Sequence, residues 1–392
     1  MIKGTFKFYI VLLGLIFVAC EEDLVLDPAV IADAVEDHVI ENPGNIQEVA
    51  TLPPMPNYPG NNLHSQAKED LSRLLFWDPV LSGTMDISCG TCHHPNFGYA
   101  DGLERSIGVG GNGIGPNRTG TNLIDTNFPT LLNTAFNGMT FLENYNPAAA
   151  PMFWDNRNSV LEEQSIMPLL SALEMRGNQI SEEEIIPIVI ERLEAIPEYV
   201  SLFESAFGSE GISENRIVLA ISTFERSLIT TNSRFDRYMR GDANILTQQE
   251  LNGLNDFIDV ECADCHSGAM FSDFDLHTLS VPNNRINDAG ATGNYDFRTP
   301  SLRNVSLTAP YMHNGVFDSL EDVLEFYDSI SRGNGNSQNS NVNDNQIAIE
   351  ARDLNLNNNQ INDIIAFLQT LTDTDFDKTI PTSVPSNMQV GG

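Results

Sequence analysis

The most specific chemistry in the chain sits in two pentapeptides, Cys-Gly-Thr-Cys-His at Cys89 to His93 and Cys-Ala-Asp-Cys-His at Cys262 to His266. Two thiols separated by two residues can each form a thioether to a haem vinyl group, and the histidine that follows then lies within reach of the iron on its proximal face. The same CxxC spacing serves zinc sites and thiol redox sites. Of the five cysteines, four lie in the pentapeptides and the fifth is Cys20. A shared zinc would have to join pairs roughly 170 residues apart and would leave both histidines without a role. The sequence therefore predicts two covalent haem c groups, one held by Cys89, Cys92 and His93, the other by Cys262, Cys265 and His266.

The elements that must position these motifs follow from composition and pattern. Residues 1–20 read as a basic start with Lys3 and Lys7, then an apolar run from Phe8 to Val18, then Ala19 and Cys20. That run is too short to span a bilayer and has the proportions of an export signal. A small residue before Cys20 resembles a bacterial lipobox, with Phe17 departing from its usual aliphatic residue, so Cys20 is expected to be the lipidated first residue of a mature, membrane-anchored protein. An ordinary signal peptide cut nearby is the alternative. Either way the folded part lies outside the cytoplasm, in the periplasm or cell envelope, as covalent haem attachment requires.

Residues 21–60 are acidic and proline-rich and read as a linker. The remainder exceeds one ordinary domain and fits two, at 61–240 and 241–375, followed by a tail at 376–392. Lys and Arg number 20 against 54 Asp and Glu, giving a net charge of −34. Such a charge argues against a nucleic-acid partner and suits a repelling surface or a basic protein partner. Ile217, Ala220, Ile221, Phe224 and Leu228 repeat at helical spacing behind Ser213, and Ile361, Ile364, Ile365, Leu368 and Leu371 do so near the end. The fold is thus expected to be mostly α. The Gly- and Asn-rich stretches at 108–122 and 333–345 read as long loops.

Further stretches carry a family resemblance. LFWDPVLSG before the first motif, NFPTLLNTAF at 127–136, FWDNR at 153–157, LEEQ at 161–164, EM at 174–175, FERSLITTNSRFDRYMRGD at 224–242 and TPSLRNVSLTAPYMHNGVF at 299–317 lie in order around the two CxxCH motifs. Over about residues 63–373 the chain resembles the bacterial dihaem cytochrome c peroxidase and MauG superfamily. The resemblance implies two helical cytochrome c-like domains, each with one haem c, and a calcium ion between them. A homodimer is compatible with it.

It also implies site residues whose chemistry can be argued separately. Cleaving peroxide needs a group that takes a proton from one oxygen and delivers it to the other, so that water leaves; Glu174 matches the family's acid/base residue. Gln164 cannot titrate but its amide can orient peroxide. Ser159 and Glu162 form a candidate capping box, which would put Gln164 in a helix ending before Pro168. Trp154 matches the tryptophan that carries electrons between the haems. Asn127, Thr308 and Pro310 match the calcium positions, the last two through backbone carbonyls. Asn156 stands where the family's WDGR motif has glycine.

The outer ligands depart from the classical pattern. Where the classical peroxidases carry a histidine on the glycine-rich loop, 16 residues past the proximal one, this chain has Val109, which cannot bind iron. His94 is adjacent to the proximal ligand and His64 is the remaining candidate. For the second haem, Tyr327 stands 14 residues after His313, at the place of the classical methionine. MauG-type enzymes use a tyrosine in that region; core packing is the alternative, and Met270 and Met312 are further ligand candidates. Three functions follow: reduction of hydrogen peroxide to water with electrons from a small cytochrome c or cupredoxin, MauG-like oxidation of a protein or organic substrate, or non-catalytic electron carriage. Gln164 and Glu174 argue against the carrier, and Tyr327 favours the second over a purely classical first.

Overall fold

Apolar residues repeating at helical spacing give this chain its architecture. The computed structural model describes residues 48–140, 145–208, 211–284, 287–331 and 336–392, so Cys20, the signal segment, most of the expected linker and part of the 333–345 loop lie outside the described residues. The helices among the described residues are α1 (Gln66–Trp77), α2 (Cys89–Cys92), α3 (Leu161–Gln164), α4 (Met167–Leu170), α5 (Glu182–Glu194), α6 (Pro197–Phe207), α7 (Glu214–Ser227), α8 (Arg234–Met239), α9 (Gln248–Asp259), α10 (Leu320–Ser331) and α11 (Asn358–Thr370). One two-stranded antiparallel ribbon, β1 (Leu276–Thr278) with β2 (Asp296–Arg298), sets Leu276 opposite Arg298. No helix among the described residues is long and apolar enough to cross a membrane.

The expected periodic stretch behind Ser213 is α7, with the Ser213 side chain accepting from the Arg216 amide. Its buried stripe of Ile217, Ala220 and Ile221 packs with Leu71 and Leu75 of α1 and with Tyr199 and Phe203 of α6. Each of the Ile, Leu and Phe side chains contributes about 1.5–3 kcal/mol by leaving water. The second periodic stretch is α11, whose Ile361, Ile364, Phe367 and Leu368 meet Leu254 and Phe257 of α9. The two helices approach so closely that a Cβ on Gly253 would lie 1.8 Å from the Asp363 carbonyl oxygen, which only glycine allows.

The two largest apolar clusters among the described residues draw mainly on the two halves of the sequence. The described residues nevertheless pack as one unit. Phe235 already belongs to the second core, so the chain crosses between cores some residues before 240. The linker expected to run to residue 60 is packed from residue 48: Val49 and Leu52 are buried, and the Ala50 amide donates to the Gly268 carbonyl at 3.3 Å.

Residues 376–392 differ most from expectation, because they are a strap rather than a tail. They return to the first half, where Phe376 and Val384 are buried with Phe76, Trp77 and Tyr99. Ser386 Oγ donates to Asp78 at 2.6 Å, the Gly391 amide donates to the Trp77 carbonyl at 2.9 Å, and the Thr91 hydroxyl within CGTCH donates to the Gly391 carbonyl.

Candidate haem-binding active site

Both pentapeptides form tight turns at the rim of a cavity. The first is α2, opened by Ser88, whose amide donates to Thr91 Oγ1 at 2.9 Å. Glycine is required inside it: a Cβ on Gly90 would lie 2.4 Å from the Trp77 ring, which lies against the turn. The four cysteines are free thiols, and Cys89, Cys92, Cys262 and Cys265 all face their cavities. Burial, with help from Glu225, pushes the Cys89 thiol up to about 12, and burial does the same for Cys262.

The two histidines are held alike. His93 Nδ1–H donates to the Tyr99 carbonyl at 2.9 Å, and His266 Nδ1–H to the Phe271 carbonyl at 2.9 Å. A carbonyl can only accept, so the proton sits on Nδ1 and the Nε2 lone pair is left for a metal. Burial lowers His93 to about 4, against the Tyr99 hydrogen bond, and keeps it neutral. Phe128 stacks on its ring at 5.4 Å between centroids.

The first cavity is also lined by Gln164, Glu174, Arg157, Trp154, Asn127, Thr308 and Pro310. Glu174 stands on a single π-helical turn, residues 172–176, with its amide donating to Ser171 Oγ at 3.3 Å. Burial raises its pKa, opposed by the charge of Arg157. Gln164 ends α3, but not through the expected capping box: the N-cap is Val160 and no side chain caps it. Glu162 instead forms a bidentate pair with Arg226, at 2.7 and 3.1 Å. Helix α3 ends at Gln164, before Pro168 as expected, and Pro168 stands in the first turn of the next helix, α4. Asn156 occupies the left-handed region at φ 53°, which asparagine tolerates better than most residues, and its Nδ2 donates to the Phe274 carbonyl at 2.9 Å. That accounts for an asparagine where the family motif has glycine.

Among the described residues His93 is the only histidine at the first cavity. His64 pairs with Glu69 at 3.0 Å on the surface, and His94 packs edge-on against Trp77. Val109 is buried in the first core, its amide donating to the Leu173 carbonyl at 3.2 Å. The second cavity is lined by His266, His277, Phe297, Met312, His313 and Tyr327. The Tyr327 hydroxyl has no hydrogen-bond partner among the described residues, and burial raises its pKa. Met270 lines the first cavity and not the second.

Nine described residues line both cavities, Trp154 and Arg298 among them. Trp154 lines both, with Nε1–H donating to the Asn127 carbonyl at 2.9 Å. Asn127 also donates from Nδ2 to the Leu103 carbonyl at 2.8 Å, which leaves its amide oxygen for a cation. Arg298, given no role by sequence reasoning although it stands just before the TPSLRN stretch, also lines both. Its Nε donates to the Phe153 carbonyl at 2.8 Å. It is 7 % exposed and has no ion pair among the described residues; burial lowers it to about 10, opposed by Asp155. An unpaired buried cation between two cavities fits the carboxylates that a haem carries, and with the free thiols and Nε2 lone pairs it shows that these residues suit the group.

Two attachment turns, each with a neutral histidine at its own cavity and a tryptophan between, define a helical protein of the double c-type haem class. Comparison with known proteins agrees. The di-haem cytochrome c peroxidase family model matches residues 66–244. Methylamine utilization protein MauG of Methylorubrum extorquens is 33% identical over 80% of this chain and 80% of its own length. Cytochrome c551 peroxidase of Nitrosomonas europaea is 32% identical over 81% and 84%. A crystal structure of a MauG-like protein associated with microbial copper homeostasis superposes with a TM-score of 0.68 at 28% identity, covering 82% of this chain and 93% of that one. The chain belongs to the di-haem cytochrome c peroxidase and MauG family, and is accordingly a dihaem oxidoreductase with haem c cofactors.

Proposed function

We propose that the protein reduces hydrogen peroxide to water at the first cavity, using electrons that a small redox protein, a cytochrome c or a cupredoxin, delivers at the second. The observation that carries this reading is Glu174, a largely buried carboxyl with a raised pKa at the same cavity as Gln164 and the free face of His93. His93 would hold the haem iron, which would supply peroxide binding and electron transfer. Glu174 takes a proton from one peroxide oxygen and returns it to the other, and Gln164 orients the peroxide through its amide. Trp154, at both cavities, relays electrons between them. Cys89, Cys92, Cys262 and Cys265 hold the haems, His93 and His266 are their proximal ligands, and the two cores correspond to one haem domain each. Asn127, Thr308 and Pro310 hold a calcium ion. The protein is exported and anchored through a lipid on Cys20.

Steady-state peroxide consumption with reduced cytochrome c or reduced cupredoxin as donor tests the assignment, and failure of both donors to support any turnover would refute it. One observation favours a second reading, MauG-like oxidation of a protein or organic substrate: the unpartnered hydroxyl of Tyr327 at the second cavity. A phenolate is a hard anionic ligand that stabilises oxidised iron and would lower the second haem's potential. Single-turnover oxidation of an added organic donor, without any reduced protein present, distinguishes the two.

A further inference from the structure

The FERSL stretch carries a carboxyl that the reaction above does not use. Glu225 lies on α7, is 5 % exposed and lines the first cavity. Its Oε2 is buried without a hydrogen-bond partner. The cation next to it gives it no hydrogen bond: Arg226 places both terminal nitrogens on Glu162, and its Nε is itself without a partner. Other charges around α7 are also committed: Arg73 of α1 pairs with Asp377 at 2.5 Å, and residues 134–136 carry none. On the attachment turn the group that feels Glu225 is Cys89, whose sulfur is a neutral thioether once haem is joined. An unpaired carboxylate in such a place is unstable as an anion. Burial, opposed by Arg226 and reinforced by Glu162, pushes it up to about 8.

A group with these properties responds to charge placed in the cavity. We propose that Glu225 is a redox-linked proton site of the first haem, binding one proton from water when that haem accepts one electron from a reductant, and releasing it when the electron leaves. The balance is one electron to the iron and one proton to the Glu225 carboxylate, so the cavity's net charge is unchanged. This removes the cost of adding an uncompensated charge in a low-dielectric site. The inference rests on haem at Cys89–His93 and not on which substrate is oxidised.

The direction of the pH dependence follows. Below the raised pKa that Glu225 has beside the oxidised haem, it is protonated in both redox states and the first haem's potential is flat. Above it the oxidised state loses the proton first, because the added electron raises the carboxyl's affinity in the reduced state, and the potential falls as pH rises. Spectroelectrochemical titration of the holoprotein from pH 6 to 10, following the first haem, tests this. Expected results are a fall in the parent protein, retention of the fall in Glu225→Asp and in Glu174→Gln, and a flat profile in Glu225→Gln. A parent profile flat throughout, or a fall that survives Glu225→Gln, overturns the proposal. Loss of the fall in Glu174→Gln would overturn it too, by moving the proton to the other carboxyl of the cavity. Should Glu225→Gln fail to retain haem, infrared difference spectra of the parent at pH 9 decide: a protonated-carboxyl band must appear on reduction, and its absence overturns the assignment.

Discussion

Replacing Arg226 by methionine should be among the most damaging single changes outside the attachment turns. Arg226 is 1 % exposed and its two terminal nitrogens meet both oxygens of Glu162, itself 7 % exposed, at 2.7 and 3.1 Å. Burial works to raise the Glu162 pKa, but the Arg226 hydrogen bonds and charge, together with the Asn62 amide at 3.0 Å, outweigh it and hold it below the usual carboxylate value. Removing the guanidinium leaves a buried carboxylate with only Asn62 and Ser222 as donors. Breaking such a pair costs about 3–5 kcal/mol. At about 2–4 °C per kcal/mol for a cooperative unit of 150–250 residues, the melting point should fall by about 6–20 °C. Removing both partners, as Glu162→Leu with Arg226→Met, leaves no orphan charge. The double variant should lose less than half of what the single one loses, mainly the hydrogen bonds of Asn62 and Ser222 at about 1 kcal/mol each. Calorimetry of the holoproteins measures both, and the double-mutant cycle isolates the pair. A double variant as unstable as the single one would refute the argument, since the loss would then come from packing and not from an orphaned charge.

Four further outcomes are expected. Mass spectrometry of the holoprotein should find two haem additions, with Cys89→Ser and Cys92→Ser together removing one and Cys262→Ser and Cys265→Ser the other. Glu174→Gln should leave both haem spectra in place and slow peroxide cleavage by about 10²–10⁴; in the parent, cleavage limited by the ionised base should rise with pH through a pKa above the ordinary carboxylate range, and the variant should lose that rise. Electron paramagnetic resonance of the oxidised protein should show one high-spin haem, because Val109 lies in the core and, among the described residues, no second histidine reaches the first cavity, and Tyr327→Phe should alter the low-spin signal of the other. Chelator-treated holoprotein should bind one calcium ion in a calorimetric titration, and Asn127→Ala should abolish that binding.

What could be read in the sequence was whatever local pattern specifies. The haem turns are five-residue motifs, α7 and α11 announce themselves by periodicity, and Gln164, Glu174 and Trp154 do converge with His93 on one cavity although 61 to 81 residues separate them from it. What escaped was decided by partners far away in the chain. The Ser159–Glu162 box is locally sound, yet Glu162 is drawn to Arg226, 64 residues on, because a buried guanidinium needs its charge met more than a helix end needs a cap. Glu225 and Arg298 looked like two charged residues among many. Their character comes from the burial and lack of partners that only the packed structure supplies. Residues 376–392, polar and without periodicity, gave no sign of the partners they find at Asp78, Trp77 and Thr91.

That strap has a consequence for the order in which the molecule can be completed. Thr91 and Gly391 are 300 residues apart in sequence, and Asp78 and Ser386 are 308 apart. At about 5–20 residues per second, synthesis of the intervening chain takes about 15–60 s. Until the last residues are in place the CGTCH segment lacks the hydrogen bond that finishes its turn, and Trp77 lacks the cover of Phe376 and Val384. Closing so long a loop costs entropy that only the full set of strap contacts offsets. The half of the protein that is made first is therefore the half that is sealed last.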